Sequence, residues 1–155
     1  GLYGAKFEWL AYLDADGQFD FGEITKFLEK QWETDADLVI GYYLKRAVPF
    51  YRIWGSKLWE LAVFLLFGLR VRDIDCGFKL LRQQVVEKIP KLEAERGPFI
   101  SSELLIKAKN KGFKIAEIGI HHYPRQRGQS TGASLKVIAS GLKDLWRLRR
   151  KLKKE

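Results

Sequence analysis

The sequence predicts an α/β fold with a mostly parallel sheet flanked by helices. Three observations carry this. Short apolar runs suited to buried strands alternate with longer segments whose apolar residues recur at helical spacing. Proline and glycine punctuate those segments where helices open and close. With 155 residues, 46% of them hydrophobic, the chain is long enough for one domain with a real core and short for two.

The segments follow in order. Trp9–Leu13 reads as a buried strand ending in an Asp14-Ala15-Asp16-Gly17 turn. Phe21 to Trp32 reads as a helix, with Ile24, Phe27, Leu28 and Trp32 on one face. Asp37–Tyr42 is a second strand. Pro49 opens a long helix through Trp54, Leu58, Leu61, Leu65 and Leu66, and Gly68 closes it. Phe78–Leu81 is a short strand and Gln83–Ile89 a short helix. Ser101–Lys111 is a helix stopped by Gly112. Lys114–His121 is a strand with partial alternation, and Tyr123–Ala133 is a loop. From Leu135 to about Lys153 runs an amphipathic helix with Leu135, Ile138, Leu142, Leu145 and Leu148 on one stripe. The expected division is residues 1–134 as the main body and 135–155 as a basic C-terminal helix.

Charge is uneven. The residues from Lys136 onward carry +6 of the formal +9. Such a tail suits an anionic membrane surface, nucleic acid, or plain solubility. The longest apolar stretch, Leu58–Leu69, is too short to cross a hydrocarbon core that needs roughly 20 residues, and Glu60 interrupts it. No transmembrane helix is expected. The single cysteine, Cys76, excludes an intramolecular disulfide and a CxxC metal site, which fits a reducing compartment. It reads as a small packing residue.

Asp14 and Asp16 place two hard oxygen ligands on one turn after a strand. Mg2+ and Mn2+ are commonly held by one or two carboxylates plus substrate phosphates. Gly17 permits the sharp turn, and Gln18 adds a further oxygen. The competing local reading is an Asx-type turn or a helix cap. Ligands of parallel sheets sit beyond the carboxyl ends of strands, where this pair falls.

Five segments in order carry a resemblance. They are Leu13-Asp14-Ala15-Asp16-Gly17-Gln18, Gly41–Arg46, Leu66–Lys79, Gly112–Ile118 and Arg125-Gln126-Arg127-Gly128-Gln129-Ser130. Together they resemble family 2 glycosyltransferases, in the branch of dolichyl-phosphate mannosyltransferase and the undecaprenyl-phosphate glycosyltransferases. The resemblance implies the C-terminal part of a GT-A, Rossmann-like fold. It implies transfer of a sugar from a GDP- or UDP-linked donor to dolichyl or undecaprenyl phosphate, with Mg2+ or Mn2+. By matching position, Asp14, Asp16 and Gln18 would take the metal and the donor diphosphate. Arg125, Arg127 and Ser130 would take phosphates, and Lys45, Arg46 and Asp75 would line the donor and acceptor side. A cytoplasmic protein peripheral to an anionic membrane follows from the lipid-linked acceptor.

Each site residue keeps its local alternative. Arg125 and Arg127 could be solvated loop arginines. Asp73 and Asp75 could cap backbone amides. His121 and His122, adjacent on a strand, should face opposite ways and receive no chemistry. Glu103 reads as a first-turn helix residue. The family's N-terminal strands, which recognise base and ribose, have no counterpart here. Tyr43 stands where arginine is common, and Gly119 where proline is. Activity from this stretch alone is therefore expected to be weak or nil, with the missing N-terminal half or self-association completing it. The rival reading is a non-catalytic basic module for nucleic acid or a membrane surface. Nucleic acid is not expected as a partner, because the charge sits in the tail with no recognised nucleic-acid motif beside it.

Overall fold

The structure is a computed structural model. It describes residues 2–45, 50–94, 99–124 and 135–153, with the side chains of 51, 52 and 135–139 outside that description. Its strands are β1 (Trp9–Leu13), β2 (Leu38–Tyr43), β3 (Phe78–Arg82) and β4 (Ile115–Ile120). Its helices are α1 (Ile24–Thr34), α2 (Phe50–Phe67), α3 (Gln83–Lys88), α4 (Phe99–Asn110) and α5 (Leu135–Leu152). Short 3-10 turns cover Leu2–Gly4 and Phe21–Glu23.

The strand order is β1-β3-β2-β4. β3 runs antiparallel to both β1 and β2, and β2 runs parallel to β4. This corrects the mostly parallel sheet expected from the sequence. β1, β2 and β4 do point the same way, but β3 enters between two of them from the opposite end. An apolar run such as Phe78–Leu81 reads the same in either direction, so the sequence could not reveal this. The reversed strand starts where β1 stops, and the Asp14 amide donates to the Gly77 carbonyl at 3.1 Å.

Alternation divides the strands between two cores. Leu10, Leu38, Ile40 and Leu81 face a layer containing Val63, Val85, Leu105, Leu145 and Leu148. Val39, Phe78, Leu80 and Ile120 face the other way, onto Phe27 of α1 with Ala36 and Cys76. Phe27 and Phe78 stack at 4.3 Å between centroids. Burying each such large side chain contributes roughly 2 kcal/mol.

The helices begin and end for local reasons. Asp20 caps the turn before α1 by accepting from the Gly22 amide at 2.8 Å. Gly112, at φ 81°, ends α4, and the Phe113 amide returns to the Ala108 carbonyl at 3.1 Å. Two apolar faces differ from expectation. Trp32 is 79% exposed, and Gln31 takes the buried place one turn after Phe27. Leu142 is also exposed, while Leu145 and Leu148 carry the inner side of α5. That side rests on α4 and on α2, where Trp59 closes on Gly141. Among the described residues, no helix is long and apolar enough to cross a membrane.

Candidate active site

The carboxylate turn leaves β1 at Asp14. The Tyr12 hydroxyl donates to Asp14 Oδ1 at 3.3 Å. Burial, then the Asp14 charge, raises the Tyr12 pKa and keeps it a neutral donor. Beneath the carboxylate lies Gly77. A Cβ built there would stand 2.1 Å from Asp14 Oδ2 and 2.4 Å from its Cγ. The seat of Asp14 therefore exists only because residue 77 has no side chain.

Asp16 Oδ1 accepts from the Gln18 amide at 3.1 Å. This is the Asx-type turn of the local reading, and Gly17 takes it through φ 75°. Gln18 is nearly buried and joins two loops. Its Nε2 donates to the Tyr123 carbonyl at 3.1 Å, and the Tyr123 amide donates back to the Gln18 carbonyl at 3.0 Å. The carboxylate turn is thus paired with the segment leaving β4. Only Oε1 of Gln18 could meet a cation, since Nε2 is the donor to Tyr123.

The turn before β3 forms the neighbouring wall. The Asp75 amide donates to Asp73 Oδ1 at 3.1 Å, and Ser56 of α2 donates to Asp75 Oδ2 at 3.3 Å. Below them is Lys79, fully buried on β3. Its ammonium donates to the Cys76 carbonyl and to Ser101 Oγ. Burial pulls its pKa below the ordinary lysine range, opposed by Cys76, Asp75, Asp73 and Asp14.

Sequence reasoning quoted Gly77 and Lys79 within a motif but gave neither a role. The available signal was a charge inside the run Phe78–Leu81, a few residues after two aspartates. Cys76 is fully buried, and burial pushes its thiol up to about 12, which suits packing and not nucleophilic chemistry.

Lys45 is exposed just past β2, where the Leu44 amide ties the chain to the Ile120 carbonyl at 3.0 Å. Arg46, Arg125, Arg127 and Ser130 lie outside the described residues. Tyr43, in the place of the common arginine, packs with Phe19 and with His122, whose ring lies 4.4 Å away. His121 turns outward, yet its Nδ1 pairs with Glu23 Oε1 at 2.7 Å. Glu103 belongs to the body of α4. It accepts from the Glu93 and Ala94 amides and pairs with Lys107 at 2.6 Å, both side chains being buried.

Among the described residues no group of three or more His, Cys, Asp or Glu forms a ready metal cage. Asp14 and Asp16 nonetheless fit Mg2+ or Mn2+. They offer hard oxygens on one turn, over a glycine seat, and such ions usually complete their shell with water and phosphate oxygens.

The model of the family described as glycosyl transferase family 2 matches residues 1–90. A polyprenol monophosphomannose synthase from Mycolicibacterium smegmatis is 30% identical over 142 residues, covering 83% of this chain and 53% of that protein. An undecaprenyl-phosphate 4-deoxy-4-formamido-L-arabinose transferase from Pseudomonas fluorescens is 30% identical, covering 82% of this chain and 36% of that protein. The chain thus spans about half the length of the first of these relatives and about a third of the second. Among solved structures, glucosyl-3-phosphoglycerate synthase from Mycobacterium tuberculosis superposes with a TM-score of 0.64 at 17% identity, over 96% of this chain and 51% of that one. That likeness is one of fold. The same enzyme has been crystallised with Mn2+, uridine diphosphate and glucosyl-3-phosphoglycerate.

Proposed function

Since the chain belongs to glycosyl transferase family 2, we propose that it carries the metal- and acceptor-binding part of an enzyme moving a sugar from a nucleotide-sugar donor to a polyprenyl phosphate. The observation that carries this reading is the seat of Asp14 on Gly77, beside Asp16, at the carboxyl end of β1. The relatives that act on polyprenol and undecaprenyl phosphate support the acceptor class. The donor would be a GDP- or UDP-sugar.

In this reading the acceptor's phosphate oxygen attacks the anomeric carbon and the nucleoside diphosphate departs. That oxygen is already ionised, so no strong general base is required. The work is to hold two anionic groups together and stabilise the leaving charge. Asp14 and Asp16, with Gln18 through Oε1, would hold Mg2+ or Mn2+, which when bound supplies Lewis-acid stabilisation of the departing diphosphate. Arg125 and Arg127, with Ser130, would fork onto phosphate oxygens. Lys45 and Arg46 would add positive charge beyond β2. Gln18 and Tyr123 tie the carboxylate turn to the chain that leads into residues 125–130. The body of residues 1–134 would do this chemistry at the cytoplasmic membrane surface, with the basic helix beyond it.

The test is labelled-sugar transfer from GDP- and UDP-sugars to polyprenyl phosphate with Mn2+ or Mg2+. Transfer that is lost in Asp14→Ala with Asp16→Ala supports the reading. Undiminished transfer in that variant overturns it.

A further inference from the structure

α2 carries apolar residues on two opposite sides, and only one of them is covered. Trp59, Val63 and Leu66 turn into the core. On the opposite side Phe50, Trp54, Leu58, Leu61 and Leu65 are each more than half exposed. Their spacing of three and four residues aligns them in one stripe, about 22 Å long at 1.5 Å per residue. Single exposed apolar residues are ordinary, but five in register on one helix mark a contact surface.

Charge on one flank of the stripe indicates what it meets. An open cavity of about 390 Å³ runs beside α2, lined by Lys57, Glu60, Leu61, Phe64, Arg70 and Arg72 among others. Lys57 pairs with Glu60 at 2.6 Å, and Glu117 accepts from the Arg72 amide at 2.6 Å, so both carboxylates are engaged inside the fold. Arg70 and Arg72 are exposed. Their guanidinium carbons lie 5.0 Å over the Phe64 ring and 4.5 Å over the Tyr42 ring. An apolar stripe containing Trp and Phe, flanked by cations, is the pattern of a helix lying in the plane of an anionic bilayer.

We infer that α2 is a membrane-docking helix, seated on anionic lipid through Phe50, Trp54, Leu58, Leu61 and Leu65 with Arg70 and Arg72 at the headgroups. α5, whose basic sequence suited an anionic membrane, nucleic acid or plain solubility, uses Leu145 and Leu148 for the core. The inference stands on this surface and not on sugar transfer, although a lipid-linked acceptor would be met there.

The test is sedimentation with phosphatidylcholine vesicles, with and without phosphatidylglycerol. The chain should bind the anionic vesicles. Leu58→Glu with Leu65→Glu, both at exposed positions and checked for folding by circular dichroism, should lower partitioning roughly tenfold or more. Arg70→Ala and Arg72→Ala should each lower it roughly fivefold. Asp14→Ala with Asp16→Ala should bind vesicles as wild type, so failure of docking and failure of catalysis are separable. Wild type that ignores anionic vesicles overturns the inference, as does a folded stripe variant that binds them unchanged. A dimer in gel filtration that the stripe variant dissolves, with vesicle binding intact, assigns the stripe to a second copy and also overturns it.

Discussion

Gly77 and Asp14 share one space: the carboxylate of Asp14 lies where a side chain on residue 77 would begin, 2.1 Å from a Cβ built there. The backbone bond from the Asp14 amide to the Gly77 carbonyl does not involve that atom. Gly77→Ala should therefore displace the carboxylate more than it disturbs the sheet. We expect Mn2+ affinity, read by electron paramagnetic resonance titration, to fall about tenfold. The stability loss should be about 1–3 kcal/mol, as for other overpacked sites. Unchanged Mn2+ binding in a folded variant would remove Asp14 from the metal site.

Asp16→Asn separates the two readings of the carboxylate turn. Asparagine can still accept from the Gln18 amide, so the Asx-type turn survives. The charge is lost. Urea denaturation should show a change within about 0.5 kcal/mol, while Mn2+ binding weakens clearly. A variant that binds Mn2+ like wild type would leave Asp16 as a turn former only.

Glu23 gives a pH signature. Burial raises its pKa, but hydrogen bonds from Lys26 and His121 outweigh this and hold it below the ordinary 4.5. A carboxyl whose folded pKa is depressed stabilises the fold fully above its unfolded value. That contribution is lost as pH falls through the folded value. Glu23→Gln should thus be less stable than wild type at pH 7 by about 1.5–3 kcal/mol, the worth of a hydrogen bond to a charged group. The gap should close below pH 4.5. Urea melts across that range read it directly, and a constant gap would refute the assignment.

Glu103 tests structure against chemistry. Its carboxylate holds the Glu93 and Ala94 amides and pairs with buried Lys107. Glu103→Ala leaves an uncompensated buried ammonium and should cost about 3–5 kcal/mol. Removing both charges with Glu103→Gln and Lys107→Met should recover much of that loss in thermal melts. A loss of transfer without a loss of stability would move Glu103 into the active site.

Much of the fold was legible from short-range pattern. The strand before Asp14 and the α4 stop at Gly112 follow from an apolar run and from capping, which act within a few residues; the burial expected of that strand does not, since β1 lies at the sheet edge and Leu10 alone of its five residues is buried. The site was legible only as a list. Asp14 and Asp16 could be named, but both of their local readings remained open, because an Asx-type turn and a metal ligand use the same residues. Nothing local said that Gly77 would lie under Asp14, that Lys79 would be buried below Asp73 and Asp75, or that Gln18 would reach Tyr123. The outward turn of Trp32 was likewise hidden, since one turn on from Leu28 is apolar Trp32 while one turn on from Phe27 is polar Gln31, and the local pattern favours the wrong one.

By itself the sequence determined the kinds and order of the segments and the carboxylate pair closing the first strand, since these rest on local periodicity, capping and turn chemistry. Only the tertiary structure decided that β3 runs backwards between β1 and β2, and with it the glycine seat of Asp14. It also decided which side of α2 stays uncovered. The physical reason is the same in both cases. An apolar run has no direction, and a helix with apolar residues on two opposite sides has no single preferred face, so each is settled by what the rest of the chain packs against it.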